Sequence, residues 1–137
     1  MRVSAVLRFP QAPHVVFDYL KDPRNRPEWQ SSLRAVTDVV GNGDVGTTWT
    51  DVTKPGIRPR LRVTDCVSPT LWIEEGEWRS IKARLIVQLR PHESGTLVKA
   101  IGDFTFPRLL TPAGWLLRYV TPAAIRADLR LAAERIG

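Results

Sequence analysis

A chain of 137 residues, with 43% hydrophobic and 25% charged residues, is long enough to bury one sizeable core and has the composition of an ordinary globular domain. Its formal charge of +6 raises nucleic acid as a partner, but the arginines are spread from Arg2 to Arg135, and the one basic run, Lys54 to Arg62, has no interleaved aromatics on which bases could stack. No apolar run approaches the roughly 18 residues of a membrane span, and charge interrupts the first residues before a signal-peptide core could form, so a cytoplasmic protein is expected.

The first predicted element is a strand in which Val3, Ala5, Leu7 and Phe9 share one face and Ser4 and Arg8 the other. Pro13 then suits the first turn of a short helix, where Val16, Phe17 and Leu20 fall at helical spacing and Asp18 and Lys21 turn away. Asp22-Pro23 ends it, because a residue before proline avoids the α region. A second short turn, Arg24 to Glu28, presents Trp29.

Leu33 to Val40 and Thr47 to Thr53 read as a hairpin. Its turn, Gly41-Asn-Gly-Asp-Val-Gly46, matches the glycine spacing of a dinucleotide-binding loop, but a strand follows it. Without a helix N-terminus there is no phosphate site. Arg60 to Val67 and Leu71 to Trp78 form the next hairpin, joined at Ser68-Pro69. Ala83, Leu85, Val87 and Leu89 alternate with Arg84, Ile86, Gln88 and Arg90, and the turn Pro91 to Gly95 returns the chain through Thr96 to Phe106. Seven strands with short connections imply one antiparallel sheet in a single domain covering residues 1–137. A long helix is expected from Thr111-Pro112 to Ile136, with Ile125, Leu129, Ala132 and Ile136 as its apolar stripe. Pro122 demands either a kink or two helices meeting at Thr121.

The pattern Ala12-Pro13, Val16-Phe17-Asp18-Tyr19-Leu20, Asp22-Pro23, Pro27-Glu28-Trp29 and Gly95-Thr96 resembles the START-like (SRPBCC) superfamily, in particular its polyketide cyclase/dehydrase and coenzyme-Q-binding-like branch. The resemblance covers essentially the whole chain. It implies an α+β helix-grip fold: a curved seven-stranded antiparallel sheet wrapped around a long C-terminal helix, with two short helices between the first two strands. It also implies a cavity between sheet and helix. Ala83, Ala100 and Gly102 are small strand residues standing where Leu or Val would otherwise fill that space.

Such a cavity is mostly apolar, with a few polar groups that orient a ligand. Trp29, Trp49, Trp72, Trp78 and Trp115 are candidates to line it, together with Ala100, Gly102, Phe104 and Tyr119. Among polar residues, Arg62, Asp65 and Glu74 are the candidates for chemistry. Glu74 shares a strand face with Trp72, Gly76 and Trp78; if Leu71 and Ile73 face inward instead, Glu75 and Glu77 are the inward pair. The two histidines, His14 and His92, and the single cysteine, Cys66, stand at no metal-ligand spacing, and Gly-x-Ser-x-Gly is absent, so neither metal nor cofactor is expected.

Binding of a hydrophobic small molecule (a lipid, quinone or polyketide-like metabolite) without chemistry is therefore the leading expectation. The alternatives are a cyclase or dehydratase, in which Asp65 or Glu74 takes a proton beside a carbonyl and Arg62 or a tyrosine stabilises the enolate, and a protein-interaction module with a closed cavity. The Lys54 to Arg62 loop is a candidate for transient contact with an anionic membrane. Pairing of two subunits through an apolar strand face, such as the one bearing Ile86, stays open.

Overall fold

The computed structural model describes residues 1–107 and 119–137. Its seven strands are β1 (Arg2–Phe9), β2 (Leu33–Val40), β3 (Thr48–Thr53), β4 (Arg60–Val67), β5 (Leu71–Trp78), β6 (Ile81–His92) and β7 (Gly95–Thr105). They form a single antiparallel sheet in the order β1-β7-β6-β5-β4-β3-β2. Between β1 and β2 run α1 (Pro13–Lys21), a 3-10 turn (Pro23–Asn25) and the one-turn α2 (Arg26–Trp29); α3 (Pro122–Ile136) follows the sheet.

The first and second strands thus lie at opposite edges, so the α1–α2 block must cross the sheet from one edge to the other. It does so as the sequence dictates. Val16, Phe17 and Leu20 are fully buried, Asp22 stops α1 in extended backbone, and its side chain accepts a hydrogen bond from the Arg24 amide at 3.0 Å to start the next turn.

At the other edge, β1 pairs with β7 from Arg2↔Asp103 to Phe9↔Thr96. Gly95 lies here against the backbone carbonyl of Phe9, a contact that leaves no room for a Cβ. The Thr96 hydroxyl donates to the Gln11 carbonyl at 2.7 Å, tying the hairpin to the chain that enters α1. The β6–β7 turn is tighter than the expected Pro91 to Gly95: pairing continues to His92↔Gly95, with Glu93 at positive φ carrying the reversal.

α3 starts at Pro122, and the Thr121 hydroxyl accepts from the Ala124 amide at 3.0 Å. A helix running unbroken through Pro122 is therefore not observed. Proline instead occupies a first-turn position, where its missing N–H costs nothing. The expected Thr111-Pro112 start lies outside the described residues. Leu129 and Ala132 are buried against the sheet, with Ile125 and Ile136 packed beside them. Together with Phe9, Val16, Phe17, Leu20, Trp72, Val87, Leu89, Val98 and Ala100 they form the core, where Phe17 meets Trp72 edge to face at 5.7 Å between centroids.

Candidate functional site

On β5, Trp72, Glu74 and Gly76 are buried whereas Glu75 and Glu77 are exposed, which settles the strand's phase in favour of the aromatic face. Position i+2 on a strand shares a face with i. The Trp72 indole N–H accordingly donates to Glu74 Oε1 at 3.1 Å. β3 repeats the device: the Trp49 indole N–H donates to Asp51 Oδ1 at 2.9 Å, again within the buried layer. These two Trp-x-acid units put two carboxylates on the inner side of the sheet, each held by its own neighbour.

The cation that answers them comes from α2. Arg26 and Trp29 are three residues apart on this single turn and so face the same way. Arg26 is 1% exposed, and its guanidinium makes a two-pronged ion pair with Glu74, 3% exposed: Nη2 donates to Oε1 and Nη1 to Oε2 at 3.1 Å. Nη1 also donates to Gln30 Oε1 at 3.2 Å. The guanidinium sits 5.2 Å from the Trp29 ring centroid and 5.6 Å from that of Trp49. Burial opposes its charge, but Glu74 and then Asp51 outweigh that and raise the Arg26 pKa.

Asp51 fares differently. Burial pushes its carboxyl up to about 6, the charge of Glu74 adds to the rise, and Arg26 and the Trp49 hydrogen bond only partly offset it. Its Oδ2 has no partner among the described residues.

Arg26, Asp51 and Glu74 border a cavity of about 250 Å³ between the sheet and α3. Leu85, Val87, Ala100, Phe104, Ile125 and Leu129 form much of the apolar wall, and Glu77, Arg84 and Asp128 add further charged groups to the lining. Ala83, Ala100 and Gly102 line it as well. A Cβ on Gly102 would come within 3.0 Å of the Phe104 ring, so the glycine lets that ring lie over the strand.

Trp29, Trp72, Trp78, Phe104 and Tyr119 all border this space. Trp49 is fully buried next to the Arg26 guanidinium and is not part of the cavity wall. Trp115 lies outside the described residues.

Of the three candidates for chemistry, only Glu74 reaches the cavity. Arg62 pairs with Glu75 across the outer face, in a charged groove with Arg84 and Asp103. Asp65 would face inward by simple alternation from buried Val63, but a bulge between them inserts Thr64 as an extra residue. Asp65 then pairs with Ile73 on the outside and is exposed, while Cys66 turns to the core. Arg26 and Asp51 were missed by the sequence reading, and the repeated Trp-x-acid pattern was the signal that could have found Asp51. No trio of His, Cys, Asp or Glu placed to hold a metal occurs among the described residues. No described helix is long and apolar enough to cross a membrane.

Over residues 1–137 the sequence matches the family model for polyketide cyclase/dehydrase and lipid transport proteins. The chain belongs to this family. No curated protein sequence matches it significantly. Solved structures share its fold at low identity. A Thermus thermophilus protein is 15% identical with a TM-score of 0.78, covering 99% of this chain and 97% of that one. Ara h 8.0201 is 12% identical with a TM-score of 0.74, covering 99% and 97%. The Aha1 dimer from Colwellia psychrerythraea is 14% identical with a TM-score of 0.70, covering 99% and 96%. The family member described here has the START-like helix-grip fold.

Proposed function

We propose that residues 1–137 act as one ligand-binding unit that holds a hydrophobic small molecule in the cavity between sheet and α3, without chemistry. The observation that carries this reading is the cavity itself: a largely apolar chamber bordered by a few polar side chains, among them Arg26, Asp51, Glu74 and Asp128, the form expected of a small-molecule site. Glu74 is a poor base, because Arg26 and Trp72 occupy both of its oxygens. A lipid, quinone or polyketide-like metabolite fits the apolar wall. The Lys54 to Arg62 loop adds a route of delivery: Ile57 and Pro59 border the cavity while Lys54 and Arg58 are exposed, so anionic head groups would meet positive charge at the entrance.

Native mass spectrometry of protein purified from its host, followed by denaturing extraction, tests this. A stoichiometric hydrophobic passenger is expected. A protein that emerges empty and whose tryptophan fluorescence ignores lipids, quinones and aromatic ketones would overturn the reading.

One observation favours catalysis as a second reading. Asp51 borders the cavity with one oxygen unpartnered among the described residues and a carboxyl pushed up to about 6, within the range useful to a general base. A cyclase or dehydratase would then work through Asp51 rather than Glu74, and turnover of an aromatic ketone that survives Asp51→Asn would remove it.

A further inference from the structure

Glu74 and Asp51 both border the cavity, but they are supported unequally. Glu74 holds both prongs of Arg26 and the Trp72 indole. Asp51 holds only the Trp49 indole, on Oδ1, and its Oδ2 has no partner among the described residues. It keeps 6% of its surface on a wall that is otherwise mostly apolar.

The elements packed around Asp51 bring no second cation inward. Arg26 of α2 spends Nη1 and Nη2 on Glu74 and Gln30. Arg34 and Asp38 of β2, Arg60 and Arg62 of β4, and Lys54 and Arg58 of the loop between β3 and β4 are all exposed. From α3 comes another carboxylate, Asp128, which borders the same cavity, accepts from the Ser31 amide at 3.2 Å and feels the charge of Lys54. Tyr119, Glu77 and Arg84 complete the titratable lining. The last two are exposed, with Glu77 opposite Lys82 and Arg84 4.0 Å from Glu75.

An ionised Asp51 therefore relies on water at the cavity surface. An apolar ligand expels that water and offers no donor in its place, which costs the carboxylate far more than the neutral acid. Linkage makes the effect reciprocal: whatever disfavours the ionised form in the filled cavity makes the protonated form bind the ligand more tightly. Burial and the charge of Glu74 already push this carboxyl up to about 6, which sets the change near neutrality.

Resting on the ligand-binding reading above, we infer that an apolar ligand enters this cavity together with a proton taken up by Asp51, so that the cavity holds its ligand in acid and releases it as pH rises.

Isopropylnaphthalene, a hydrocarbon that does not titrate, is the probe. Its affinity is read by tryptophan fluorescence from about pH 5 to about pH 8, and its proton uptake by calorimetry near pH 6.5 in two buffers of different ionisation heat. With a tenfold preference of the ligand for protonated Asp51, affinity should fall about tenfold across that range, and about half a proton should be taken up per ligand. Asp51→Asn should abolish both signals while still binding the hydrocarbon, which also shows that the variant is folded. Should it not fold, Asp128→Asn takes its place, and proton uptake must persist there. Uptake that survives Asp51→Asn, or that vanishes in Asp128→Asn, would overturn the assignment to Asp51. Binding that is independent of pH and takes up no proton would overturn the coupling and leave the cavity reading intact. No binding at any pH would bring down the binding reading and the coupling together.

Discussion

The two ends of the inner layer solve burial in opposite ways. Under α1, Phe9, Val16, Phe17, Leu20 and Val98 are all 0% exposed and pack into the apolar core. Under α2, Arg26, Asp51 and Glu74 are nearly as deeply buried, yet they are held by polar contacts, and the space in front of them is left open. The first end is held by close packing, where each lost methylene costs transfer energy and leaves a void. The second is held by mutual neutralisation, where the attraction of the pair is largely consumed by desolvation. Stability therefore resides mainly in the α1 end.

Removing one partner of the ion pair should show the largest effect. Glu74→Leu strands a buried guanidinium and is expected to destabilise by about 3–5 kcal/mol in urea unfolding. The double change Arg26→Met with Glu74→Leu should restore most of that loss; a double variant as unstable as the single one would mean that the pair stabilises the fold outright. At the apolar end, Leu89→Ala should cost about 3 kcal/mol with no such rescue by any polar partner. A loss below about 1 kcal/mol would show that this end is not tightly packed.

Asp51 sharpens the contrast through pH. Its folded pKa is raised, so its contribution to stability is fully present below the unfolded value of 3.8 and is lost as pH rises through about 6. The Asp51→Asn variant should accordingly gain about 2–3 kcal/mol on the natural protein between about pH 4 and about pH 7, at 1.36 kcal/mol per unit. A difference that stays flat across that range would mean that Asp51 is solvated. The smallest effect belongs to neither end: Thr121→Ala removes the α3 cap and should cost about 1 kcal/mol, independent of pH, in thermal or urea unfolding.

The apolar end was readable from sequence because it obeys periodicity. Val16, Phe17 and Leu20 announce a buried helix face, and the alternation in β1 and β6 matches the observed burial. The polar end was not, for three separate reasons. Trp72 and Glu74 alternate with Leu71 and Ile73, so either face of β5 could pass for the inner one. Asp65 changed sides through a single inserted residue, which leaves no mark on composition. Arg26 lies among Arg24, Asn25 and Glu28 and looks like part of a solvated turn; its burial depends on Glu74, 48 residues away. Local pattern encodes where apolar groups go, whereas a buried charge is defined by a partner that the local pattern does not contain.

The pairing of β1 with β7 also governs how the molecule comes together in time. Arg2 and Asp103 are 101 residues apart in the chain yet hydrogen-bonded side by side. On a ribosome adding 5–20 residues per second, about 5–20 s separate the emergence of the two strands. Through that interval Ala5, Leu7 and Phe9 have no sheet to join, so the youngest chains carry a sticky, unclaimed strand. Folding that depends on such distant closure is slow.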